Sequence, residues 1–143
     1  MIPMTIATAK KTLNRARAEI SRARRGDEEV IRQAAEKAWR AARESVYAVM
    51  DVVGQKPKES TVSPSTVASF EARYLGRKKR GSGQTLTAGY VRAIHVLHGL
   101  CFYDGECASK EVVEGEMDAV QDLIEQAEQD WFVLDKTERR RRR

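Results

Sequence analysis

Seven apolar residues late in the chain, Val113, Met117, Val120, Ile124, Ala127, Trp131 and Leu134, are separated by alternating steps of four and three. An α-helix brings such positions onto one side, because 3.6 residues complete a turn, whereas a strand needs steps of two. The spacing predicts a helix over about 109–134 with a heptad stripe, and a stripe needs an apolar surface to cover it. Similar steps recur earlier. Ile6, Ala9, Leu13, Ala16, Ile20 and Ala23 mark a first helix, and Val30, Ala34, Ala38, Ala41, Ser45, Val49 and Val53 a second. Gly26 suits a left-handed C-terminal cap, and Asp27, with Glu28 and Glu29 behind it, suits the start of the next helix.

The stretch "GQKPKESTVSPS" reads as a linker, since Pro57 and Pro64 bar helix between them. A short third helix over about 65–75 offers Val67, Phe70 and Tyr74. A fourth, over about 84–104, offers a core face of Leu86, Tyr90, Val91, Ile94, Leu97 and Cys101, with Gly105 to end it. No strand pattern or repeat is visible. Aromatics make up only 6% of the 143 residues and alanine fills many inward positions, which favours closely packed helices. The expected fold is all-α, an antiparallel helical bundle of about five helices. It forms a single domain over 1–138, followed by a basic arginine tail over 139–143.

Charge separates along the chain. Five of the 26 basic residues are Arg139 to Arg143; without them basic and acidic residues balance, the acidic count being 21. The first helix is rich in Lys and Arg and the fifth in Asp and Glu. The two can neutralise each other by packing or show opposite faces to different partners. Nothing at the start resembles a signal peptide, and no run approaches the about 20 apolar residues of a membrane span. The expectation is a soluble, cytoplasmic protein. The two cysteines, Cys101 and Cys107, read as free thiols in a reducing compartment rather than a disulfide framework. "GRKKRGSGQT" lacks the lysine of a phosphate-binding loop, and nothing in the sequence calls for a cofactor.

Chemistry concentrates in "RAIHVLHGLCFYD", residues 92–104, which holds both histidines of the chain. In one reading His98 is a hydrogen-bonded histidine at the core margin and His95 a surface residue. In a second, His95, His98, Cys101 and Cys107 bind zinc, but the first three fan across a straight helix and no Cys-x-x-Cys anchors them. In a third, the histidines move a 2′-hydroxyl proton of RNA while Arg92 holds the phosphate, without a metal. Outside this helix, Arg77, Lys78, Lys79 and Arg80 form a basic loop between glycines. With Arg139, Arg140, Arg141, Arg142 and Arg143 they offer exposed, mobile charge for an RNA backbone.

The Arg92–x5–His98 spacing resembles the Arg-x4–6-His motif of the HEPN superfamily. The longer run "HVLHGLCFYDGECASKEVVEGEMDAVQDLIEQAE", together with "AAEKAWRAARESVYAV", resembles the archaeal PaREP-type branch of it over about residues 27–134. The resemblance implies an antiparallel helical homodimer with the motif helices of two subunits at a shared cleft. It implies RNA or nucleotide binding, metal-independent RNase activity through Arg92 and His98 in some members, and in others a nucleotidyltransferase-type antitoxin partner. The alternative function is a non-catalytic homodimeric protein-interaction module. On a straight helix Arg92 and His98 point about 120° apart. They meet at one phosphate only across a dimer or on a distorted helix.

Overall fold

The apolar stripes converge on one core. The computed structural model describes residues 3–24, 26–77, 85–103 and 109–143. It contains α1 (Met4–Arg22), α2 (Glu28–Val52), α3 (Pro64–Phe70), α4 (Leu86–Ala93) and α5 (Lys110–Arg141). Two π-helical segments continue the shorter helices: π1 (Glu71–Leu75) follows α3 and π2 (Ile94–Tyr103) follows α4. Among the described residues there is no strand. The protein is an all-α helical bundle.

The six stripe positions of α1, from Ile6 to Ala23, are all buried. α2 is the central element and packs against α1, α5 and π2. Ala34, Ala35, Ala38, Ala41 and Ala42 are fully buried there, and their small side chains let three neighbours approach one helix. Trp39, also fully buried, fills the space on the α4 side. Ion pairs fix the directions. Lys10 meets Glu128 and Arg17 meets Asp118, so α1 and α5 run antiparallel. Arg92 meets Glu116 and Gly89 lies against Leu123, so α4 also runs against α5. The basic first helix and the acidic last one thus neutralise each other by packing.

Several expectations need correction. Val30 is 40% exposed and Ile31 turns inward in its place, because the buried face of α2 is centred one residue further along. Val91 is exposed too, since Leu86, Tyr90, Ala93 and Leu97 set the buried face. Asp27 occupies the N-cap of α2, but its carboxylate turns back to accept the Arg24 N–H (2.7 Å) and braces the turn. Gly26 closes that turn at φ +94°, a conformation in which a side chain is strained. α5 continues past Leu134 to Arg141, with Arg139 on Asp135 (3.0 Å) and Arg141 on Glu138 (3.2 Å). No glycine or proline interrupts the sequence after Leu134, and basic residues are favourable in a last turn. Arg139 to Arg141 are therefore helical, not a loose tail.

The linker is tied down from below. Tyr47 donates to Glu59 O (3.2 Å) and Arg43 to Ser60 O (3.1 Å). The hydroxyl of Tyr90 donates to Val62 O (2.7 Å) and accepts from Val62 N (3.2 Å). Burial pushes the phenols of Tyr47 and Tyr90 above their ordinary range. These bonds hold the chain between α2 and α3 against α4 and so set where the motif helix begins.

Candidate functional site

The motif helix starts at a double cap. Thr85 accepts the Ala88 N–H through its side chain (3.0 Å), and the Glu71 carboxylate accepts the N–H groups of Leu86 (3.0 Å) and Thr87 (2.6 Å). After Ala93 the helix widens from α to π. A π-helix closes its hydrogen bonds over five residues, so each residue turns the chain by less than in an α-helix. That change swings His98 further round from Arg92. Gly99 stands at the crossover, where a Cβ would come 3.3 Å from the Ile94 carbonyl oxygen.

The two motif side chains consequently reach different helices. Arg92 points to α5 and grips Glu116 with both arms of its fork, Nε at 2.7 Å and Nη2 at 2.9 Å. Its side chain is still 55% exposed. The bonds to Glu116 raise the pKa of an already strong base. His98 points to α2. Its Nδ1 lies 3.2 Å from Glu36 Oε2, and its ring stacks on Trp39 at a centroid distance of 5.0 Å and an interplanar angle of 28°. His98 and Glu36 are each 18% exposed, half-sheltered from water. His95 is exposed on the outside of π2. Within one chain Arg92 and His98 therefore take their acidic partners from opposite neighbours.

Arg77 is not on a mobile loop. It is half-buried, donating to Glu71 (3.0 Å) and with both arms to Asp130, one at 2.8 Å. These bonds, that to Asp130 first, raise its pKa. Glu71 and Asp130 are each 3% exposed. Thr87 donates to Glu71 through its hydroxyl and Gln126 to Asp130 (3.0 Å), which fills the remaining acceptor positions. The cluster ties π1, α4 and α5 together beneath an open groove of about 690 Å³ that Ser65, Ser69, Thr85 and Val91 also line. Lys78, Lys79 and Arg80 lie outside the described residues.

Cys101 is disulfide-bonded, not a free thiol. The one other cysteine of the chain, Cys107, lies outside the described residues. A sulfur held in a disulfide is no longer the thiolate that zinc requires. Among the described residues no three His, Cys, Asp or Glu side chains gather as metal ligands. No helix among them is long and apolar enough to cross a membrane.

A family profile described as the archaeal PaREP1/PaREP8 family matches residues 6–124. The chain belongs to the archaeal PaREP1/PaREP8 family. No curated protein and no solved structure matches it. The PaREP1/PaREP8 match begins at Ile6, so α1 is part of the family unit, whereas the resemblance drawn above started only at residue 27. It ends at Ile124, before Asp130 and the arginines of the last turn. The motif helix, Glu36, Trp39 and Glu116 all fall inside it.

Two groups of this PaREP1/PaREP8 chain were not singled out from sequence. Asp130 follows Ala127 by three and precedes Leu134 by four, so it stands in the buried register of α5. A carboxylate there needs a partner, and that was its signal. Glu36 and Trp39 are three apart on α2, side by side on its surface, but nothing in the spacing says that a histidine 62 residues later lies against them.

Proposed function

We propose that this protein is a HEPN-type RNA-binding domain that cleaves RNA without a metal, with Arg92 and His98 as the working pair across a homodimer. The observation that carries the reading is the fork of Arg92. A guanidinium that is more than half exposed and closed in two-point contact on a carboxylate presents the geometry with which arginine receives a phosphate. In the reaction His98 Nε2 takes the proton of a ribose 2′-hydroxyl. The 2′-oxygen bonds to phosphorus, the bond from phosphorus to the 5′-oxygen breaks, and the departing oxygen takes a proton from water. Arg92 offsets the charge that develops on the phosphoryl oxygens. Because Arg92 and His98 face different helices in one chain, a second copy supplies the partner side chain. His95 lies on the exposed side and contacts the strand. Arg139 to Arg143 extend that contact; Arg77 does not, being committed to Glu71 and Asp130.

The test is cleavage of a single-stranded RNA in EDTA, with detection of 2′,3′-cyclic phosphate ends. Arg92→Ala and His98→Asn are each expected to abolish it while the helical circular dichroism persists. Mixing the two variants is expected to restore about a quarter of wild-type activity, since half of the dimers are mixed and each has one intact site. Deleting 139–143 is expected to flatten the salt dependence of RNA binding by about two to three units of slope. A second reading, the non-catalytic interaction module, has its own observation: both motif side chains already face acidic partners within the chain. Wild-type protein that forms a dimer and leaves RNA intact under all conditions supports that reading instead.

A further inference from the structure

We propose that Glu36 is the positioning residue for His98: its carboxylate selects the imidazole tautomer that carries the proton on Nδ1 and leaves Nε2 as the accepting nitrogen. The proposal rests on the nuclease reading above and adds a residue to it.

A neutral imidazole has one N–H and one bare nitrogen, and it can act as a base only through the bare one. In water the proton prefers Nε2, the outer nitrogen. A histidine left to itself on a helix therefore spends most of its neutral form with the outer nitrogen blocked. Glu36 Oε2 stands 3.2 Å from Nδ1, and a carboxylate can only accept a hydrogen bond. Of the contacts among the described residues, this one draws the proton to Nδ1. Both side chains are 18% exposed, so water competes poorly for either end of the bond.

The second constraint is the ring plane. Trp39 is fully buried, and His98 stacks on it at 5.0 Å with the planes 28° apart. Tyr90 holds Trp39 from another side, with ring centroids 5.3 Å apart. A hydrogen bond alone leaves an imidazole free to rock about it, and a stacked face alone leaves it free to spin. Together they fix both motions. One helix supplies both, because Glu36 and Trp39 are three residues apart on α2 and so neighbours on its surface. For a histidine used as a base, a carboxylate on the inner nitrogen is a recurrent way to orient the ring.

The test needs no activity to begin. The chain has two histidines, so protein labelled with 15N-histidine gives two rings in a long-range 1H–15N correlation, assigned with His95→Gln. In wild type at neutral pH, His98 is expected to show a protonated Nδ1 and a bare Nε2. In Glu36→Gln the side-chain amide can donate to Nδ1, and the tautomer is expected to reverse. kcat for RNA is expected to fall at least about 10-fold at nearly constant KM, the lower bound taken from lost partners of metal-binding histidines and a carboxylate behind a catalytic histidine being worth more. Glu36→Asp keeps the carboxylate and is expected to recover the tautomer and part of kcat, which separates positioning from folding. A wild-type His98 with its proton on Nε2 overturns the proposal outright, whatever the variants do. Unchanged cleavage by Glu36→Gln, with wild type active, overturns the role of Glu36 and leaves the nuclease reading standing. A tautomer that reverses as expected in a wild-type protein that never cleaves RNA overturns the nuclease reading, and with it any catalytic use of Glu36.

Discussion

Replacing Gly89 with alanine puts two opposed effects on one site. Gly89 lies inside α4, and alanine in a helix interior is favoured over glycine by about 1 kcal/mol. Against this, a Cβ at Gly89 would stand 2.7 Å from Leu123 Cδ1, 3.1 Å from Cγ and 3.2 Å from Cβ. The Cδ1 contact alone is relieved by turning the end of the leucine. The Cβ contact is not, because that atom is fixed to the backbone of α5, and Cγ moves only if the whole side chain changes rotamer, so the two helices must separate. Overpacking of this kind costs about 1–3 kcal/mol, toward the upper end where backbone has to move. The clash wins by about 1–2 kcal/mol. For 143 residues the unfolding entropy of about 2.1 cal/mol/K per residue makes 1 kcal/mol equal to about 3 °C, so Tm should fall by about 3–6 °C. Gly115 on α5 is the control. It is exposed with open space where its Cβ would go, and Gly115→Ala should raise Tm by about 3 °C. Scanning calorimetry reads both. Adding Leu123→Ala to Gly89→Ala should cost less than the sum of the two single changes, since the clash is already gone. A Tm that rises equally in Gly89→Ala and Gly115→Ala refutes the close approach of α4 to α5.

Three further outcomes are expected. Arg77→Met leaves Glu71 and Asp130 together without their cation and should cost about 3 kcal/mol in urea unfolding, the lower range for a broken buried pair because Arg77 keeps some contact with water; adding Asp130→Asn should recover part of it. Tyr90 is held above its ordinary value of 10.0 by burial, so the folded state keeps that proton longer than the unfolded chain. Its contribution to stability is whole below pH 10 and is lost as pH rises beyond it; Tyr90→Phe should blunt that alkaline loss in a pH series of melts. Reduction with a thiol should lower Tm by about 6 °C, since the bond at Cys101 contributes about 2 kcal/mol, the low end for a disulfide. Two free thiols titrated in the denatured, unreduced protein contradict that bond.

The helices were legible because their inward faces are apolar and their spacing is regular; Ile6 through Ala23 and Val113 through Leu134 can hardly be arranged otherwise. What escaped reading has physical causes. Nothing in "AIHVLHGL" announces that the helix widens at Ile94, because the change depends on hydrogen bonds over five residues and not on side-chain type. The apolar stripe stops at Leu134 and a run of arginines reads as solvated, yet α5 continues because Asp135 and Glu138 one turn back are suited to holding it. Arg77 reads as mobile, exposed charge beside Lys78, Lys79 and Arg80, yet it pairs with a carboxylate 53 residues away. Arg92, His95 and His98 were legible as candidates from residue type alone. Their partners Glu116 and Glu36 were not, since pairing across helices is a property of the packed bundle.

The π segment also bears on how such motifs are counted. A stretch of π-helix holds a surplus residue that an α-helix of the same span would not, and it can be lost by narrowing the turn without unseating either end. Chains that differ by a residue between the arginine and the histidine can therefore place both groups alike, one with the surplus and one without. A gap one residue longer can then leave the arrangement in space unchanged. Relatives are better compared by whether a carboxylate and an indole lie under the histidine than by the number of letters that separate it from the arginine.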